Sequence, residues 1–374
     1  MKRSLGFSMV ELMVAITLAL LVTTGVLSVF IGSRNAFQAT AGTATLSDSG
    51  RFALNYIETA VRGAGYLACS PPTRTISVLN PGPTPLYYAP AGPAQFFQPL
   101  SGFQAVATGV GDAYAVSTAT GAPTDWTPNL DAAFPPAATA IGALVKNSDV
   151  LVVRSSATRS PTAFVTAIVD GTNNFTINTN APNFLVAGQL AVISDCAKAV
   201  LFQVSAVAIG GPSTVVTHNA GGAPGNVSSS FTPAAGGLVS FGQGSEVTPL
   251  STVAYYIGTG SDGDNSLFSY ELQANNVFQI NELVPDVEAM QVLYGLDTTG
   301  SLTVSQYVPA NLVADFTTVM SVKVALLAAG PPGSVRTPTA APQYNLLGTT
   351  VTAPLDTRAR QVFEVTITAR TTAT

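Results

Sequence analysis

One run of residues limits the fold more than any other. Between Leu12 and Ser33 the chain carries no charged residue, and a helix rising about 1.5 Å per residue crosses about 30 Å of hydrocarbon in such a stretch. A carboxylate, Glu11, stands at its start, with Lys2 and Arg3 further upstream. A glutamate inside an apolar span costs about 2–3 kcal/mol near the bilayer centre and less toward the edge. Something must compensate for it. This is the only segment long enough to span, so the rest of the chain is expected on one side of the membrane. The basic flank assigns the short N-terminus to the cytoplasm and the bulk to the far side.

Three kinds of N-terminus compete for this pattern. A secretory signal has an apolar region of about 7–15 residues and a small-residue cleavage site. The run here is too long, and no such site follows it. A plain anchor explains the length but not Gly6 or Glu11. The leader Met1–Gly6, then Phe7, with Glu11 the fifth residue after the Gly6–Phe7 bond, resembles the signature of type IV prepilins. That resemblance implies cleavage after Gly6 by the prepilin peptidase, an aspartic peptidase of the membrane, and N-methylation of Phe7. It also gives Glu11 a partner, the terminal ammonium of a neighbouring subunit's Phe7. Such pairing offsets the desolvation of a buried carboxylate, and a helix N-terminus favours negative charge. Glu11 would then set the register of an incoming subunit.

Composition supports an exported chain. Hydrophobic residues make up 47% and charged residues only 9%, against the usual quarter or so. The net charge is −5, with no basic cluster, which argues against direct nucleic-acid binding. In a reducing compartment Cys69 and Cys196 would be buried thiols, but export favours a disulfide between them.

Beyond Arg34 the helix is expected to continue. Leu46, Gly50, Ala53, Ile57, Val61 and Ala64 recur in steps of three and four, the stripe of one helical face. Asp48, Arg51, Asn55, Glu58 and Arg62 lie off it. The stripe is read as lying on the C-terminal domain, and the helix is expected to end near Gly63–Gly65. From Thr73 to about Ala140 the chain is rich in Pro, Gly, Ala and Thr, which favours irregular or extended loop. From Asp149 onward short β-branched runs recur between turn signals: DVLVVR, FVTAIV, QLAVIS, AVLFQVSAVA, STVVT, STVAYYI, SLFSYEL, MQVLYGL, MSVKVALLA and VFEVTITA. They indicate antiparallel sheet rather than βαβ units. GGPSTVVTHNAGGAPGNVSSS reads as a hairpin and a surface loop.

The blocks GRFAL at Gly50–Leu54, GYLAC at Gly65–Cys69, DVLVV at Asp149–Val153, SDC at Ser194–Cys196, VEAMQVLYG at Val287–Gly295, VMSVKV at Val319–Val324 and the closing strand Val362–Arg370 resemble the PilW-type minor pilins. The expected architecture is α+β and type IV pilin-like, a long N-terminal helix packed on an antiparallel β-rich domain. Its parts are a leader (1–6), the transmembrane half of the helix (7–33), its amphipathic half (34–68), a Pro/Gly-rich loop region (69–148) and the β-rich domain (149–374). The resemblance implies a minor pilin that helps initiate the type IV pilus and stays at or near its tip, in service of twitching motility, adhesion or DNA uptake. The implied partners are the prepilin peptidase, other minor pilins, the major pilin, the inner-membrane assembly platform and a PilY-type tip adhesin. The implied location is the inner membrane with a periplasmic bulk, then the extracellular fibre. A minor pseudopilin of type II secretion, of the J kind, shares the N-terminus. A membrane-anchored periplasmic binding domain is the rival from another class.

Patterns for chemistry are weak. Gly258 to Gly263 satisfies G-x-G-x-x-G but lies between two strand patterns and reads as a hairpin turn. Asp262 and Asp264 are spaced as in a calcium loop, without the Gly at loop position six and with Gln273 where a Glu belongs. His218, the single histidine, falls in a polar loop taken as flexible, and a zinc site would need companions. There is no G-x-S-x-G elbow. Asn174 and Asn226 match the glycosylation sequon, which has little bearing on a chain of bacterial character. Trp126 and Phe134 are expected to pin the Pro-rich loop to the core. The reading is a structural protein, not an enzyme, without cofactor or metal.

Overall fold

The computed structural model describes residues 8–70, 74–80, 98–130, 134, 141–156, 162–179, 181, 184–222, 225–232, 237–272 and 278–369. Helix α1 (Met9–Gly63) is a single uninterrupted helix of 55 residues, about 80 Å long at 1.5 Å per residue. After it come β1 (Thr75–Ser77), β2 (Leu100–Ala105), β3 (Ala113–Ala115), β4 (Trp126–Thr127), β5 (Val150–Ser156), β6 (Ala163–Ile168), β7 (Asn174–Ile177), β8 (Leu190–Ser194), β9 (Ala199–Gln203), β10 (Ala206–Gly210) and β11 (Ser213–Thr217). The remainder comprises β12 (Glu246–Thr259), β13 (Asn265–Leu272), β14 (Phe278–Pro285), β15 (Val287–Leu296), β16 (Gln306–Val308), β17 (Val319–Ala329), β18 (Gln343–Leu346), β19 (Thr349–Thr352) and β20 (Arg360–Thr368). This is the α+β arrangement that periodicity and composition indicate, with antiparallel pairing everywhere except β1 with β9 and β3 with β19.

The strands form three layers, two of them packed on α1. In the first sheet β17 lies between β15 and β20, with β16 on the edge. One face carries Met290, Val292, Val322, Val324 and Leu326, which share a core with Ala53, Ile57 and Val61 of the helix. The opposite face, Ala289, Ala325 and Leu327, is covered by Leu346 and Val351 of the small β18–β19–β3 sheet. A second layer, β2-β5-β12-β13-β14, adds Leu151, Ile257, Leu267 and Val284 to the helix core. Its other face packs on Trp126, Leu130, Phe134 and Leu144.

The third layer is reached through β12. Its first residues pair with β8 and β6, and from Leu250 onward it pairs with β5 and then β13. One strand of 14 residues therefore belongs to two sheets. Around its first half, β6 to β11 fold over a separate core of Phe175, Phe202, Phe231, Val216 and Ile193. The β12–β13 hairpin closes over Gly258 to Gly263, so the glycine pattern there is a turn, as its strand context suggests.

Several readings need correction. The stretch from 69 to 148 is not all loop: β1 to β4 lie within it, because Trp126 is fully buried and its indole N–H donates to the Ser148 carbonyl. The aromatic anchors expected there, Trp126 and Phe134, are both buried. His218 does not sit in a flexible loop. It is 1% exposed and stacks on Phe231, with ring centroids 4.1 Å apart. Its loop is no plain surface loop either, since the buried Asn226 side chain accepts from the Gln203 N–H and donates to the Gln203 carbonyl. Side-chain amides that imitate a strand partner satisfy backbone groups which composition alone would leave to water.

Candidate functional site: the N-terminal helix and its attachment

The helix begins at the residues that sequence singles out. Ser8 is the N-cap residue, in extended conformation and without a side-chain cap bond, although Ser8 and Glu11 have capping-box spacing. Glu11 is in the first turn and exposed. Among the described residues it has no ion-pair or hydrogen-bond partner. Gly6 and Phe7 lie outside the described residues.

The first half of α1 is exposed along its whole length among the described residues. Its most apolar window, of mean hydropathy 2.5, has none of its residues buried. Leu12, Leu21, Val29 and Phe30 are all more than half exposed. The few hydroxyls in this half turn inward: Thr17, Thr23, Thr24 and Ser28 each donate to a carbonyl one turn back. A polar group satisfied within its own helix is compatible with hydrocarbon, where water offers no partner.

The second half is bound closely to the sheets. Gly42, Leu46, Gly50, Ala53, Ile57 and Val61 are its buried residues, the expected stripe extended by one turn. At Gly50 the contact is with the Phe363 ring, to which an added Cβ would approach within 2.2 Å. On the outer face Glu58 and Arg62 form an i, i+4 ion pair, a weak surface interaction. The helix stops at Gly63, and the Gly65 N–H donates to the Arg154 carbonyl of β5.

Four residues later the chain is covalently tied. Cys69 and Cys196 form a disulfide across a sequence separation of 127, with Cα atoms 4.6 Å apart. It joins the exit of the helix to the turn between β8 and β9.

Polar residues that sequence reasoning passed over hold the layers together. Asp149 accepts from the Ala105 N–H at 3.0 Å and the Val292 N–H at 2.9 Å, so one carboxylate joins two sheets. Burial pushes its pKa up to about 7 in spite of those bonds. Arg154, 1% exposed on β5, donates to the Gln98 carbonyl and to Ser101. Arg360 is held between Glu288 and Asp356 at 2.6–2.8 Å, and its hydrogen bonds keep Asp356 below the usual carboxylate range. A buried arginine opening onto two carboxylates is well suited to such a joint. The only hint in the sequence was a charge interrupting a β-branched run.

The calcium-like spacing resolves differently. Asp262, Asp264 and Asp286 bring carboxylate oxygens within 4.8 Å of one another. Arg358 bonds Asp264 at 2.7 Å and also bonds Asp286, so a guanidinium already supplies the cation between them.

Two family comparisons match opposite ends of the chain. Residues 1–27 match the prokaryotic N-terminal methylation motif, and residues 254–371 match the family described as type IV pilus-assembly protein W. Together the two matches support a type IV pilus-associated pilin of the PilW type. Neither a curated relative nor a solved structure matches it. The PilW match begins within β12, at the point where that strand has left the β8 and β6 pairing, and runs through β20. It therefore covers the sheet on which α1 lies and the β13–β14 hairpin beside it, whereas the β6 to β11 lobe falls outside. The methylation motif and the pilus-assembly match imply interaction with pilus machinery and its peptidase, and the apolar helix fits membrane anchoring.

Proposed function

We propose that this pilin is a minor subunit that helps initiate the type IV pilus and resides at or near its tip. The observation carrying this reading is a helix half that is apolar and unburied, headed by a carboxylate without a partner among the described residues. Such a surface is completed either by lipid or by other helices of the same kind. The membrane holds it before assembly, with the bulk periplasmic, and neighbouring pilins hold it in the extracellular fibre. Glu11 then meets the methylated terminal amine of an adjacent subunit's Phe7, formed when the prepilin peptidase cuts after Gly6. The inner-membrane platform, the major pilin, other minor pilins and a PilY-type adhesin are the partners of this role. Twitching, adhesion and DNA uptake are the processes it serves. The match to a pilus-assembly family favours this reading over a J-like pseudopilin of type II secretion.

Intact-mass analysis of membrane-purified protein should show loss of Met1–Gly6 and gain of one methyl group. Pilus counts by electron microscopy in wild-type, deletion and Glu11→Ala strains test the rest. The deletion should sharply reduce pilus number rather than length. Glu11→Ala should insert and be processed, since an apolar residue favours the bilayer, yet fail to enter filaments. A retained leader in a strain with active peptidase, or abundant normal pili in the deletion, would refute the assignment.

A further inference from the structure

Beside the packed half of α1 lies a groove whose floor breaks the pattern of the sheet beneath it. Along β5, β12 and β13 the residues facing the helix alternate with those facing away. Near the helix core this face reads Leu151, Ile257 and Leu267. Followed away from the core on the same face, Val153, Val253 and Tyr255 give way to Ser155, Ser251 and Glu271, with Ser269 and Asn281 of β14 beside them, the Asn281 amide accepting from Gln279 and donating to Ser269. A sheet face designed only to be covered by a helix would remain apolar. Instead a cleft of about 450 Å³ lies between helix and sheet here, within the range of about 300–1,000 Å³ typical of small-ligand sites.

The opposite wall is aromatic. Phe52 is 52% exposed, and its ring meets Tyr56 edge-on at 4.9 Å. An exposed phenylalanine set edge-on against a neighbouring tyrosine offers a ring face to whatever enters the groove. Among the described residues lining the cleft there is no lysine or arginine, and Glu271 is the one carboxylate. That set disfavours anions. The floor is a sheet face and not a sheet edge, so its backbone groups are engaged in ladders and recognition must run through side chains. Hydroxyls, an amide and a carboxylate below, with an aromatic ring beside them, match a ligand bearing many neutral hydroxyls on one side and a C–H face on the other.

We propose that this groove binds a short neutral saccharide, its apolar face against Phe52 and its hydroxyls on Ser251, Ser269, Asn281 and Glu271. The site does not depend on the assembly role, and it is tested on purified protein, so either reading can fail without the other. Full-length protein in a sugar-free zwitterionic detergent is titrated with maltotriose, chitotriose and lactose by isothermal calorimetry and saturation-transfer NMR. At least one should bind saturably at about 1 mM or tighter. Phe52→Ala on the wall and Ser251→Tyr on the floor should each weaken that binding about tenfold or more, with the unfolding midpoint unchanged. Phe37→Ala, elsewhere on the helix, should leave it intact. The proposal is overturned if none of the three sugars saturates, or if both groove variants bind as well as wild type. It is also overturned if a photo-crosslinker at Asn55 in assembled pili shows the groove filled by another pilin.

Discussion

The two halves of α1 share one helical backbone and differ in everything around it. From Met9 to about Ser33 no residue of the helix is buried among the described residues, and Gly25 and Gly32 have open space where a Cβ would go. From Gly42 to Val61 the same helix is half buried, with Gly42 and Gly50 against Ser334 and Phe363. One glycine pair is a matter of helix propensity and the other of steric fit. The contrast shows that a single regular element has two environments to satisfy, one supplied by its own sheets and one from outside the chain.

The largest expected effect sharpens the boundary between them. Replacing Cys69 and Cys196 together by serine should lower the stability of the folded domain by up to about 5 kcal/mol, since a long covalent loop is released. Membrane insertion should be unaffected. Urea unfolding followed by tryptophan fluorescence would show it, and an unchanged midpoint would mean that the β8–β9 turn is held without the disulfide.

Identical substitutions in the two halves come next. Gly50→Ala should cost about 1–3 kcal/mol by overpacking against Phe363, whereas Gly25→Ala should be neutral or slightly favourable through helix propensity. Equal effects in thermal unfolding would break the comparison.

The packed region should also respond to pH in two opposing ways. Burial lowers the pKa of His218 from 6.5 to about 4. The folded state then binds fewer protons than the unfolded chain in that window, and stability falls as pH drops through it. Asp149, raised from 3.8 to about 7, binds more protons when folded, so its contribution falls as pH rises over nearly the same range. His218→Phe keeps an aromatic partner for Phe231 and removes only the first slope. Relative to wild type it should gain stability at pH 4.5 compared with pH 7, on the order of 1 kcal/mol or more. Parallel profiles for the two proteins would disprove the assignment to His218.

The smallest effect lies on the outer face of the packed half. Glu58→Ala should change stability by only about 0.3–0.5 kcal/mol, less at high salt. A larger loss would mean that this face carries more than an exposed ion pair.

Much of this was legible beforehand, for identifiable reasons. The apolar run, Glu11 and the stripe from Leu46 to Val61 are local patterns, and every strand-like run from DVLVVR to VFEVTITA falls on strand, AVLFQVSAVA being divided between β9 and β10, because alternation in β-branched segments is itself a local signal. The strands β1 to β4, β7, β14, β16, β18 and β19 escaped, being short or polar. His218 was misplaced because the residues that bury it, Phe175, Phe202 and Phe231, come from other parts of the chain. In the sequence Asp149 is no more than the head of a strand-like run. Its partners, Ala105 and Val292, lie 44 and 143 residues away.

By itself the sequence determined a long helix with an unsatisfied carboxylate at its head and an apolar half that no part of this chain was going to cover. Those properties follow from spacing along one element and the cost of placing charge in hydrocarbon. Only the tertiary structure decided that β12 would serve two sheets, that Arg358 would stand between Asp264 and Asp286, and that the face shared by β5, β12 and β13 would turn polar where the helix leaves it. Each of those depends on residues distant in sequence arriving at contact distance. Burial and pairing, which set the energy of a charge or a ring, exist only once they have arrived.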